Sequence, residues 1–200
     1  MSATTPGELR ARNLRTLAAL AALFLLPLAI AFFTYCGTAW RPTAHVNHGQ
    51  LITPARPLPA VALPVVVGDV TPSRTPDRAA PVFRKRWSLV YVGAGGCNAD
   101  CREALYVMRQ TRLALNNDMT RVERVFLASE ACCDGAFVAR EHPGLKVLDA
   151  NAPQAEPLLA QFPAAGREHL LFIVDPLGNL MMSYDARTNP RGLLEDLKKL

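Results

Sequence analysis

Residues 87–101 read WSLVYVGAGGCNADC: an apolar run, a glycine-broken loop and two cysteines four positions apart. The β-rich segment 88–92 predicts a strand, and Gly93, Gly95 and Gly96 predict the tight loop that ends it. Asn98 then stands where a side-chain oxygen can cap a helix. That helix is expected to run to Asn116, because Leu105, Met108, Thr111 and Leu115 fall on one face at helical spacing.

Working outward toward the C-terminus, residues 121–128 (RVERVFLA) predict a half-buried strand, with Val122, Val125 and Leu127 as its apolar positions. A brief strand is expected at 144–148 and a short helix at 152–161 that stops at Pro163. Residues 170–174 (LLFIV) are apolar without interruption, as a strand covered on both faces requires. Asp175-Pro176-Leu177-Gly178-Asn179 is turn chemistry and returns the chain as a hairpin over 180–184. Residues 191–200 close with a helix that turns Leu193, Leu194, Leu197 and Leu200 inward. The order β-α-β-α-β-β-α is that of an α/β, thioredoxin-like domain: a central mixed sheet flanked by helices.

Toward the N-terminus the chemistry changes twice. Residues 16–40 carry no charge, and 17–35 read LAALAALFLLPLAIAFFTY. A helix crossing the hydrocarbon core needs roughly 20 such residues, so a transmembrane helix is expected at 16–38, after a cytoplasmic N-terminus at 1–15. Pro27 is compatible with a span. The alternative is a cleaved signal peptide, with small residues at Gly37, Thr38 and Ala39; the apolar run exceeds the roughly 7 to 15 residues of a signal core. Arg10, Arg12 and Arg15 precede the run and Arg41 follows it, which by the positive-inside bias sends the remainder outward. The expected location is a bacterial inner membrane, crossed once, with the C-terminal domain in the periplasm and the lipid bilayer as a partner. Eight prolines between Pro42 and Pro81 predict a stiff spacer over 39–82, in which 61–67 is a possible edge strand, and the folded domain is placed at 83–200. His45 and His48 in that spacer are expected to be solvated.

Two hundred residues suit one domain with extras. The net charge of +5 comes from scattered arginines with no basic, aromatic-interleaved helix, so nucleic acid is not an expected partner. Five cysteines are too few for a disulfide scaffold, and their grouping as Cys36, Cys97 with Cys101, and Cys132 with Cys133 is that of sites.

Cys97 and Cys101 on one helical turn lie within disulfide reach, and the same geometry lets two thiolates converge on a soft ion such as Cu(I). Both uses fit the spacing. The helix N-terminus and Arg102 favour thiolate, Asp100 opposes it, and Cys97 is expected to be the more acidic thiol. Two packed, inert thiols are the plain alternative. Cys132-Cys133 is a vicinal pair able to bridge or to resolve a mixed disulfide, or a loop of ordinary thiols. His142 and His169 are more often structural than ligating; His169 ranks higher because it precedes the 170–174 strand. Met181 and Met182 are expected in the core.

With RKRWSLVYVGAGGCNADC, the following helix and LLFIVDPLGNLMMSY in view, the last 115 or so residues resemble the Sco (Sco/SenC) proteins of cytochrome c oxidase assembly, in a divergent membrane-anchored branch. The resemblance implies a thioredoxin-like domain that delivers Cu(I) to, or exchanges disulfides with, a respiratory oxidase subunit or another membrane partner. It makes Cys97 and Cys101 the copper-binding and catalytic thiols, and His169 the third metal ligand. Two departures stand out: Arg102 replaces the usual proline after the second cysteine, and His169 lies about two positions from the usual histidine, seven residues before Pro176. A general periplasmic thiol–disulfide oxidoreductase and a non-catalytic membrane scaffold are the alternatives.

Overall fold

The computed structural model describes residues 6–37, 46–67 and 82–200. The chain divides into two units, residues 1–45 and 46–200. In the first, helix α1 (Pro6–Gly37) contains Pro27 without breaking, and its segment Arg10–Gly37 is long and apolar enough to cross a membrane.

The second unit is built on one seven-stranded mixed sheet, β1-β7-β6-β3-β4-β5-β2. Its strands are β1 (Gln50–Pro57), β2 (Val65–Val67), β3 (Trp87–Gly93), β4 (Val122–Ala128), β5 (Leu145–Asp149), β6 (Leu170–Val174) and β7 (Asn179–Asp185). Helices α2 (Ala99–Ala114), α3 (Gly135–Glu141), α4 (Glu156–Leu159) and α5 (Pro190–Lys199) connect or close them. Strands β3, β4 and β5 run parallel, while β6 is antiparallel to both β3 and β7. From Trp87 onward this is the thioredoxin-like arrangement.

Strand β3 sits at the centre, and its alternation feeds two cores. Leu89 and Tyr91 join Phe126, Val147, Leu171 and Ile173 beneath α2 and α5. Val90 and Val92 join Val125, Leu127, Phe172 and Val174 beneath Leu158 and Phe162 on the other face. Burial on both sides explains the uninterrupted apolar runs of β3 and β6.

Three expectations change. Strand β4 is buried along nearly its whole length, not half-buried, because it lies between two parallel neighbours. Arg124 within it is 3% exposed; burial first, then Arg112 and Arg109, lowers its pKa to about 10. Its Nη2 donates to the Pro143 carbonyl. Helix α3, begun by Asp134 accepting a hydrogen bond from the Phe137 amide at 3.0 Å, was not anticipated. The spacer, lastly, is shorter than 39–82. Residues 50–57 pair antiparallel with β7, and β2 pairs with β5, so segments ahead of the 83–200 boundary supply both outer strands. The strand foreseen within 61–67 forms at Val65–Val67.

A buried carboxylate docks this N-terminal strap. Asp196, 4% exposed on α5, accepts hydrogen bonds from the Tyr184 hydroxyl and from the His48 amide at 2.6 Å, with His48 Nδ1 at 3.2 Å. His48 is exposed, as expected, and is at the same time tied to α5, while His45 lies outside the described residues. Burial alone would raise the Asp196 pKa; the hydrogen bonds from Tyr184, His48 and Gly49 outweigh it and hold it at about 2, against an ordinary 3.8. A folded value below the unfolded one stabilises the protein fully above the unfolded value, and that contribution fades as pH falls toward 2. Asp196→Asn is expected to lose about 2 kcal/mol at neutral pH, or about 4–8 °C in Tm. Thermal melts of both proteins from pH 7 to pH 2 check this: the gap should close below pH 4, and a gap independent of pH would contradict it.

Candidate functional site

The site forms where β3 gives way to α2. After Gly93 the chain loops back on itself, the Cys97 amide donating to the Ala94 carbonyl at 3.2 Å, and Cys97 takes a left-handed φ of 43°. Asn98 then caps the helix as foreseen: its side chain accepts from the Cys101 amide at 3.0 Å. This turn fixes the Cα atoms of Cys97 and Cys101 5.0 Å apart, and the two sulfurs are bridged. They lie under the mouth of a cleft of about 540 Å³, shared with Tyr91, Gly96, Ser129 and Glu168. Cys97 is 8% exposed and Cys101 2% exposed, so an approaching reagent meets Cys97 first.

Arg102, expected to add positive charge at the thiols, instead places its guanidinium 5.2 Å from the centre of the Phe137 ring. One residue past Cys101 on the helix, its side chain is rotated by about 100° from the sulfur's direction. The favourable potential at Cys97 therefore comes from the open amides of the α2 N-terminus.

His169 lies in a single turn, Arg167–His169, that leads into β6. Its Nδ1 is 3.6 Å from Asp100 Oδ1 and its Nε2 3.7 Å from Glu168 Oε1. Asp100 stands in the first turn of α2 between the two cysteines in sequence, so the histidine does face the dithiol's helix. Among the described residues, however, no three His, Cys, Asp or Glu side chains gather closely enough to hold a metal ion. With the sulfurs bridged, Cys97, Cys101 and His169 do not form a ligand set. His142 is buried against the Phe137 ring, 5.5 Å between centroids. Met182 is buried and Met181 is half-buried.

Tyr91 was hidden within an apolar run. Burial, then the carboxylates of Asp100 and Glu168, push its hydroxyl up to about 12, so it stays protonated and donates to the Glu168 carbonyl at 3.1 Å. It thereby fixes the turn that carries His169.

The other cysteine pair is close by. Cys132 and Cys133 are bridged, half-buried, and packed on the same core as Cys97 and Cys101. Gly95 explains how the loops fit: a Cβ there would overlap the Ala131 carbonyl and stand 2.7 Å from the Cys132 Cα. Cys36, on α1, is the free cysteine and is exposed.

Comparison with known proteins agrees with this geometry. Residues 87–200 match the family described as transmembrane-like, thioredoxin-like, C-terminal domain. No curated protein matches. Among solved structures, apo Sco1 from Thermus thermophilus is similar at 17% identity and a TM-score of 0.53, covering 78% of this chain and 98% of that one. A SCO1/SenC family lipoprotein from Bacillus anthracis follows at 13% identity and 0.48, covering 74% and 98%. Copper-bound ScoI from Bradyrhizobium japonicum gives 14% and 0.47, covering 58% and 86%. At 17% identity the likeness to apo Sco1 speaks for the fold alone.

The tight approach at Gly95 is testable. Gly95→Ala is expected to part the two loops and cost about 1–3 kcal/mol, as overpacking does. Denaturant unfolding of the oxidised proteins measures it, and unchanged stability would contradict the contact.

Proposed function

Because the chain belongs to the family of transmembrane-like, thioredoxin-like C-terminal domains, we propose that it is a membrane-anchored thiol protein serving a copper-containing terminal oxidase. The observation that carries this reading is the Cys97–Cys101 pair, bridged at the entry to α2 and facing an open cleft. Such a pair has two chemical states. As a disulfide it accepts two electrons from a partner dithiol; as a dithiol it offers two converging soft ligands.

In the reduced state Cu(I) is held as cargo between the two sulfurs. His169, facing Asp100, contributes by positioning the first turn of α2. In exchange chemistry with a partner disulfide, the thiolate of Cys97, the more exposed residue, forms the mixed disulfide as one partner sulfur leaves as thiolate. Cys101 then attacks the Cys97 sulfur, closing the Cys97–Cys101 bond and releasing the other partner sulfur as thiolate. The client is an oxidase subunit that matures its copper site on the periplasmic side of a bacterial inner membrane. Support for that client comes from the Sco-like motifs around 87–101 and 170–184. Support for the topology comes from α1 and from Arg10, Arg12 and Arg15 ahead of it. A general thiol–disulfide oxidoreductase is the second reading, favoured by the bridged state itself.

Reduced, anaerobic full-length protein in detergent should bind one Cu(I) per chain. Cys97→Ser and Cys101→Ser should each abolish binding, and His169→Ala should retain it. Spectrophotometric competition with a Cu(I) chelator reads this out. Absence of Cu(I) binding, together with rapid reduction of a disulfide-bonded client peptide, would replace copper carriage with the oxidoreductase reading.

The thiols themselves give a further check. Cys97 is expected to have the lower pKa, placed below the usual value of about 8.5 by the helix N-terminus. The pH dependence of iodoacetamide labelling in the two single-serine variants measures both thiols, and a lower value at Cys101 would reverse the assigned roles.

A further inference from the structure

Strands β3 and β4 pair in parallel with Gly93 opposite Ala128, so the loops that follow them leave the sheet side by side. Ser129 pins the second loop to the first at its base: its amide donates to the Gly93 carbonyl at 2.9 Å and its hydroxyl at 3.2 Å. Farther out, Arg102 on Phe137 ties the start of α2 to α3. Between these fixed points each loop carries a cysteine four residues past the paired position, Cys97 in one and Cys132 in the other. They meet at Gly95, whose missing side chain lets the backbone press on Ala131 and Cys132. Cys97 is two residues from Gly95, a reach of at most about 7 Å. Added to the close approach of Gly95 to Cys132, this bounds the Cys97–Cys132 Cα separation at roughly 11 Å, so a bond between them, which needs about 7 Å or less, forms as the two loops draw together.

Accessibility divides the two pairs. Cys97 and Cys101 are 8% and 2% exposed, whereas Cys132 and Cys133 are both half-buried on the surface loop. A protein dithiol, bulkier than a small reagent or an ion, meets the vicinal pair first.

We propose that Cys132 and Cys133 form a second redox-active pair that takes electrons from an external protein dithiol and relays them to the Cys97–Cys101 disulfide. The relay rests on the reading of Cys97–Cys101 as redox-active. In the first step the external dithiol is oxidised to its disulfide and Cys132–Cys133 is reduced to two thiols. Cys132 thiolate then attacks the Cys97 sulfur; the Cys97–Cys101 bond breaks, a Cys132–Cys97 bond forms, and Cys101 leaves as thiolate and takes up a proton. Cys133, having released its proton, attacks the Cys132 sulfur; the vicinal bond reforms and Cys97 leaves as thiolate and is protonated. Two electrons and two protons have moved from the outer pair to the inner one, and the outer pair is again a disulfide.

Two experiments on the full-length protein in detergent test this. In the first, Cys101→Ser/Cys133→Ser, which keeps Cys97 and Cys132, is oxidised with diamide and digested with trypsin without reductant. The peptides 87–102 and 125–140 separate the two sites. Mass spectrometry should find them joined by a Cys97–Cys132 bond in monomeric protein; finding them unjoined would overturn the relay.

In the second, reduced thioredoxin is the probe, and the rate of appearance of Cys97 and Cys101 thiols is followed by alkylation. In Cys132→Ser/Cys133→Ser that rate should fall about tenfold or more, since the relay through the outer pair is gone. An unchanged rate would overturn the relay. Dithiothreitol serves as the reference, because a small reductant reaches the cleft unaided. If it reduces Cys97–Cys101 at equal rates in both proteins, the inner pair is redox-active whatever the fate of the relay. If it leaves that bond intact in both, the reading of the inner pair falls and the relay with it.

Discussion

The parallel register of β3 against β4 is the constraint from which the chemistry of this domain follows. Parallel strands deliver their following loops to the same end of a sheet, and one-to-one pairing from Trp87 with Val122 through Gly93 with Ala128 leaves those loops level. A shift of one residue would exchange the two faces of a strand. Tyr91 and Phe126 would leave the core under α2, and the glycine that admits Ala131 would no longer face it. The placement of four sulfurs on one rim is thus a property of the hydrophobic core before it is a property of the loops.

Burial and reactivity are balanced at that rim. Covering the sulfurs disfavours a bare thiolate, whereas the first turn of α2 presents amides that favour it. Asn98 supplies one acceptor to this turn, and the remaining amides face the cysteine end. Tyr91 lies below as a neutral donor, kept so by its surroundings, and holds the backbone before His169 without adding charge near the sulfurs. The acidic members, Asp100 and Glu168, flank the histidine.

Much of this was legible in the chain itself, for identifiable reasons. Strands β3 and β6 are buried on two faces, so their runs are apolar without gaps, and α2 shows its stripe every three or four residues. The Cys97–Cys101 pair was legible because local spacing alone puts the two on one turn. Strand β1 was not, because an edge strand draws its energy from backbone hydrogen bonds that leave no apolar alternation, and Pro54 and Pro57 argue locally against a strand. Helix α3 is seven residues long, too short for a periodic signal. In β4 the buried Arg124 breaks the pattern, its Nη2 donating to a carbonyl from the loop beyond α3 while Nε and Nη1 are left without a hydrogen-bond partner. The closeness of Cys132 to the first loop and the turning of His169 toward Asp100 depend on strand pairing and tertiary approach, which no local window contains.

The two outermost strands have one more effect. Both come from chain preceding Trp87, and they close opposite flanks of the sheet, β1 along β7 and β2 along β5. An uncovered flank is a row of unsatisfied amides and carbonyls that invites another molecule to add itself. Here the flanks end instead in proline-bearing segments, which lack some of the donors that such addition requires. The stretch that looks like mere tether is what keeps neighbouring copies from zipping together. A fragment trimmed to residues 87–200 would keep its sulfurs and lose its guard against fibre-like self-association.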